Sequence, residues 1–360
     1  MEKKQIAILV VVALLIIGLG VGCALYFTNG GETDGQVVAE APTDNVVKTE
    51  KKVTKTDESE FKIFSSSNNR PIAYMIDNNK NAQPQSNINK AFVVYEIIVE
   101  GNETRLMAIF KDIDEGKVGP IRSSRHYFLD YAMEYDAIYA HLGLSPKAGE
   151  DMASFGISAI NGQFFDDGKD RHEGSIYWRD KSRKAPHNAY TSLETIPIAA
   201  KQYGYPSQTS TGTPLKYSHE EVKLDQEGSF EAAQVSIPYG GGHVVKYVYN
   251  EETGRYTRYS KGVKQTDRET GEDATTKNLI ITFAKNFNLP DTENKGRQDV
   301  ITTGTLDGYY LTNGRAIKIK CTKDTRRSQT KYTDLNGNEI KINDGNTWIN
   351  VCPIDADVTF

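Results

Sequence analysis

The chain has 360 residues and sets 43 Lys and Arg against 48 Asp and Glu, a net charge of −5 that excludes a protein built mainly to coat nucleic acid. Hydrophobic residues at 38% and aromatics at 10% are too many for a disordered chain, and the length exceeds one ordinary hydrophobic core, so about two folded domains are expected. Only Cys23, Cys321 and Cys352 are present, too few for a disulfide-dense scaffold or a four-cysteine zinc module.

Glu2, Lys3 and Lys4 precede Ile6 to Phe27, a run of 22 residues without a charge. As a helix such a run reaches about 33 Å, enough to cross a bilayer, and the leading lysines hold its start on the cytoplasmic side. A second reading of the same residues is a cleaved leader ending at Gly20-Val21-Gly22-Cys23, which looks like a bacterial lipobox with Cys23 as the lipidated residue. Gly20 replaces the usual leucine, and Ala24 to Phe27 stay apolar where polar residues normally begin. Either way, residues 1–27 tether the protein to the cell membrane with the bulk of the chain extracytoplasmic. Residues 28–61 mix Gly30-Gly31 and Pro42 with many charged and Thr residues and show no periodicity, the pattern of an extended, solvated stalk.

From Arg70 the pattern changes abruptly. Pro71 to Ile76, Phe92 to Val99, Leu106 to Phe110 and Ala137 to Leu142 are apolar runs of strand length. Between them, Ser123 to Met133 reads as a helix capped by Ser123, with Tyr127, Tyr131 and Glu134 at helical spacing. Ser145-Pro146 announces a second helix by cap and first-turn proline, and Gly156 is its natural stop. This alternation predicts an α/β domain over 62–205.

A connector over 206–240 follows, opening with the Ser, Thr and Gly-rich stretch 207–213. Residues 241–360 then read as a mainly β domain. Val244 to Tyr249 and Arg255 to Ser260 flank a Glu251-Glu252-Thr253-Gly254 turn. Asn313-Gly314, Asn336-Gly337 and Asp344-Gly345 supply further tight-turn signals, the last just before a strand over Thr347 to Val351. Cys321 and Cys352 lie here, either as a disulfide, which an exterior location permits, or as two buried thiols.

Arg70-Pro71-Ile72-Ala73-Tyr74-Met75-Ile76-Asp77-Asn78, Pro84-Gln85-Ser86, Val94-Tyr95-Glu96, Val99-Glu100-Gly101, Thr104-Arg105 and Gly119-Pro120-Ile121-Arg122-Ser123-Ser124-Arg125 occur in this order. Tyr135-Asp136-Ala137, His141 and Ala185-Pro186-His187-Asn188 continue the series. Together they resemble the N-terminal domain of the YerB-like family of bacterial proteins classed as lipoproteins, and the β-rich region from about Gly241 to Pro353 is similar to that family's C-terminal domain. The resemblance implies a membrane-attached, extracytoplasmic protein of a Gram-positive-type bacterium. It carries over no catalytic residue.

Candidate chemistry is therefore read from the residues themselves. Asp77 and His141 end two predicted strands; if those strands are parallel neighbours, both side chains reach the crevice where open α/β sheets bind ligands and could form an acid–base pair. Glu96 and Glu100, evenly spaced on a strand, would share a face as paired carboxylates suited to glycoside hydrolysis, with Arg105 able to lower the pKa of either; the structural alternative is an ion pair of Glu100 or Glu103 with Arg105. Arg122 and Arg125 bracket a predicted helix start and could hold an anion together with Tyr127, or pair internally with Asp77, Glu96 or Glu100. His187 and Asn188 follow a basic stretch and the aromatics Tyr177 and Trp178, which could face a sugar ring or the core. Six histidines without a His-Glu-x-x-His pair, and the lack of a Gly-x-x-x-x-Gly-Lys loop, leave no metal or cofactor to expect.

The leading expectation is a tethered envelope module that binds an anionic wall polymer, a glycan or a partner protein, and no nucleic acid. The rivals are a cell-wall glycan hydrolase or lyase using Asp77, Glu96, Glu100 and His141, and a scaffold for envelope-assembly machinery.

Overall fold

A computed structural model describes residues 63–64, 66–290 and 293–360. The membrane segment or lipobox, Cys23 and the whole of the stalk lie outside the described residues, and among the described residues no helix is long and apolar enough to cross a membrane. The fold is mostly β with few helices. Its first part contains strands β1 (Ile72–Asp77), β2 (Val93–Ile98), β3 (Thr104–Phe110), β4 (Ile138–His141) and β5 (Ala159–Asn161), with helices α1 (His126–Met133), α2 (Pro146–Phe155) and α3 (Thr195–Gln202). The second part supplies β6 (Phe230–Glu231), β7 (Gln234–Gly240), β8 (His243–Asn250), β9 (Arg255–Ser260), β10 (Asn278–Ala284), β11 (Gly304–Thr312), β12 (Arg315–Lys323) and β13 (Thr347–Pro353).

One sheet of 11 strands joins both parts, in the order β6-β12-β11-β10-β13-β2-β3-β1-β4-β5, with Lys331–Thr333 beside β12. Its seam is the parallel pairing of β2 with β13, from Val93 opposite Thr347 to Ile97 opposite Val351. Val93-Val94-Tyr95-Glu96-Ile97-Ile98 is β-branched and apolar on both faces but for Glu96, as a strand buried on both sides must be, and all six residues are buried. Tyr95 stacks on Tyr131 of α1 at 4.6 Å between ring centroids. On the opposite face a second sheet, built on β7, β8 and β9, reaches the seam: the Tyr239 hydroxyl donates to the Glu96 carbonyl at 3.1 Å and the Asn350 Nδ2 donates to Tyr247 at 3.3 Å. The connector expected over 206–240 thus already contains β6 and β7.

Local signals mostly land where the sequence places them. Ser145 caps α2, its Oγ accepting the Ala148 N–H at 3.3 Å, and Gly156 ends it in the left-handed region at φ 64°. Asn313 and Gly314, at φ 51° and 73°, turn β11 into β12. Ser123 is a correction: α1 begins at His126, and no side chain caps it. The backbone just before α1 is already committed, with Arg122 N–H bonded to the Met75 carbonyl and Ser124 N–H to that of Gly143, both at 2.9 Å. Those sheet-like bonds keep residues 122–124 extended.

The disulfide alternative is also corrected. Cys321 and Cys352 are buried free thiols. They sit on β12 and β13 with β11 and β10 between them, three strand spacings or about 14 Å apart, far beyond a disulfide's reach. Burial pushes both thiols up to about 12.

Candidate functional site

β1 and β4 are parallel neighbours, and β4 is parallel to β5, so the carboxyl ends of three strands meet along one rim. Asp77, His141 and Asn161 are their last residues. The loop before α1 crosses the same rim through the bridge of Ile121 to Ile76, which brings Arg122 beside Asp77. The short strands Trp178–Arg179 and Ala189–Ser192 pair with each other, and the loop between them delivers His187 and Asn188.

Asp77 is the hub. Its Oδ2 lies 2.8 Å from the Arg122 Nε and 2.7 Å from the His187 Nδ1, while its Oδ1 accepts the Asn79 N–H at 3.0 Å. Its carboxylate is buried, whereas Arg122 and His187 remain partly exposed. The polar array continues through Asn188, whose Oδ1 accepts from the Arg179 Nη1 at 3.2 Å, to Asp166, which accepts from the Arg179 Nε at 2.8 Å.

His141 reaches the expected rim but makes a different contact. Its Nδ1 is 2.8 Å from the Gly143 carbonyl, which requires that nitrogen to carry the proton, and its Nε2 is buried without a hydrogen-bond partner. Burial lowers its pKa to about 4, against the Gly143 bond, so the ring is neutral near pH 7. The histidine beside Asp77 is therefore His187, brought 110 residues along the chain. The expected Asp77–His141 pair is corrected accordingly.

The paired-carboxylate expectation is corrected too. β2 ends at Ile98 and Glu100 opens a short 3-10 turn, so Glu96 and Glu100 do not share a strand face. Glu96 is fully buried: Oε1 accepts from Asn78 Nδ2 at 3.0 Å and Thr104 Oγ1 at 2.7 Å, and Oε2 from Arg258 Nη2 at 2.8 Å. Arg258, itself 1% exposed, stacks over Trp348 at 4.8 Å. Glu100 is gripped by the Arg125 fork, Nε to Oε1 at 2.5 Å and Nη2 to Oε2 at 2.9 Å. Burial opposes the charge of Glu100, but Arg125 prevails and holds its pKa below the ordinary carboxylate value.

The arginine candidates thus find internal carboxylates, as the second of their two readings had it. Arg105 donates instead to the Ser123 carbonyl, and Glu103 pairs with Lys261 at 2.7 Å, so neither glutamate makes the expected ion pair with Arg105. Burial, followed by Arg125, lowers the Arg105 pKa to about 10. Tyr127 is buried, with its hydroxyl on the Ile98 carbonyl at 2.7 Å, so it does not join an exposed anion site. Tyr177 and Trp178 are core residues and present no face to a sugar.

Sequence reasoning missed Arg258, Asn78, Thr104, Arg179, Asp166 and Asn161. Of these, Asn78 and Asn161 carried a local signal, an amide at the end of an apolar run; the others acquire their roles through partners on other elements. Among the described residues there is no group of three or more His, Cys, Asp and Glu arranged to hold a metal ion.

Residues 235–349 match the model described as "Protein of unknown function (DUF3048) C-terminal domain", and residues 59–206 its N-terminal counterpart. The chain is 33% identical over 322 residues to "Putative lipoprotein YerB" of Bacillus subtilis (strain 168), covering 86% of each protein. The crystal structure of the YerB protein from Bacillus subtilis matches with a TM-score of 0.71 at 32% identity, over 84% of this chain and 97% of that one. With both domains present in order and a relative alike in sequence and fold, the chain belongs to the DUF3048 family, that of the YerB-like proteins.

Proposed function

We propose that this protein is a membrane-tethered, extracytoplasmic component of the cell envelope that binds an anionic wall polymer, a glycan or a partner protein along the rim formed by Asp77, Arg122, His187 and Asn188. The observation that carries the reading is the convergence of Arg122 and His187 on one Asp77 oxygen at a partly exposed strand end. A guanidinium and an imidazole meet one carboxylate there, and both keep a partly exposed face that an anionic or hydroxyl-bearing group can reach. The charge-free run of residues 6–27 and the likeness to a protein named as a lipoprotein support the tethered, exterior setting.

Binding is favoured over glycan hydrolysis because each candidate carboxylate is already engaged. Asp77 faces Arg122, Glu96 faces Arg258 in the closed core and Glu100 faces Arg125. No pair among them stands open across a cleft as an acid and a nucleophile would. The test is a pull-down of the protein by purified cell wall. R122A combined with H187A should abolish capture while shifting Tm little; capture equal to that of the parent would reject the proposal. Protease added to intact protoplasts should digest the folded region, and protection would reject the exterior setting.

A further inference from the structure

Resting on that rim reading and narrowing its ligand, we infer that the occupant is a glycan strand, one pyranose of which stacks on Phe164. Gln163-Phe164-Phe165 follows β5 and places two adjacent rings in opposite settings. Phe165 packs inward, 6.4 Å from Tyr177 and 6.0 Å from Tyr203 between centroids. Phe164 is 76% exposed, the most exposed large hydrophobic side chain among the described residues. The turn that presents this ring is held in place by its neighbours. Asn161 Oδ1 accepts from both the Gln163 N–H at 3.1 Å and the Gly143 N–H at 3.0 Å, which ties the turn to the rim. At Gly162 a Cβ would stand 2.7 Å from the Tyr177 ring, so only glycine lets the turn close onto the core.

The turn that carries the ring leads along the chain into the polar array. Two residues on, Asp166 bonds to Arg179, Arg179 to Asn188, and the neighbouring His187 to Asp77, which also meets Arg122. Carboxylate, guanidinium and amide groups in alternation supply the planar donor and acceptor sets that neighbouring sugar hydroxyls satisfy, and the CH face of a pyranose covers an aromatic ring. A linear polyanion without rings would use Arg122 and His187 but would leave Phe164 uncovered. The exterior tether, with the wall as its surroundings, fits the same occupant.

The test is calorimetric titration of the full chain in detergent micelles with two probes, a neutral β-1,4-linked N-acetylglucosamine hexasaccharide and poly(glycerol phosphate). F164A should weaken hexasaccharide binding at least tenfold, F164W should retain it, and both should keep the parent Tm because the side chain lies outside the core. Hexasaccharide binding that F164A leaves unchanged would overturn the inference. Binding of poly(glycerol phosphate) alone, lost in R122A, would overturn the glycan assignment while leaving the rim reading standing. Binding of neither probe, together with loss of wall capture, would overturn both.

Discussion

Two places in this molecule use the same chemical parts for different ends. At the seam between the two parts, Glu96 and Arg258 form a fully buried ion pair with every Glu96 oxygen satisfied and Trp348 beneath the guanidinium. At the rim, Asp77 and Arg122 form a pair of similar length, yet with His187 as third member and partial access to water. Burial makes the first an architectural lock, because a charge stripped of its partner there has no solvent to turn to. Exposure makes the second adjustable, since water or an incoming hydroxyl can take the place of either partner without unfolding. A carboxylate–arginine pair therefore says little about role until its access to solvent is known.

The sharpest way to break this comparison is at the seam. E96A leaves Arg258 buried without its counter-ion and should cost about 3–5 kcal/mol in denaturant unfolding, whereas E96L combined with R258M should recover much of that loss. A single-variant cost below 1 kcal/mol would mean that the pair is not the lock described.

His141 probes the boundary between the two regions, being on the rim strand yet buried. Its folded-state pKa near 4 lies below the ordinary value of 6.5, so the unfolded chain takes up the proton first as pH falls. Its contribution is complete above about pH 6.5 and is lost as pH drops to about 4, a total of about 3 kcal/mol. Urea midpoints of H141Q should therefore fall less between pH 7 and pH 4.5 than those of the parent, and parallel declines would contradict the assignment.

At the rim itself, H187A should change stability by only about 1 kcal/mol while reducing wall capture, the reverse of the pattern at the seam. A large Tm loss would place His187 with the architectural residues. The smallest effect is expected at the two sheet thiols. Cys321 and Cys352 should resist alkylation in the native state and react only after denaturation, and reductant should leave Tm unchanged.

What could be read from the chain follows the range of the forces involved. Strand runs such as Pro71 to Ile76, the Ser145-Pro146 start and Gly156 stop of α2, and the Asn313-Gly314 turn depend on backbone preferences within a few residues, and these appear where expected. The Ser123 cap failed because residues from another strand and loop had already claimed that backbone. The strand-end positions of Asp77 and His141 were legible, and Arg122 stood among the possible partners of Asp77, but His187 beside Asp77 and Gly143 beside His141 did not.

By itself, then, the sequence determined where strands, turns and α2 would form, that two differently patterned regions follow a charge-free leading run, and which side chains could carry chemistry. Only the tertiary structure decided that β2 and β13 fuse those regions into one sheet, that Asp77 meets His187 and not His141, and that Arg258 locks Glu96 from 162 residues away. The physical reason is that an ionic partner is chosen by strand order and register, which bring distant residues within 3 Å, and no local preference encodes that encounter.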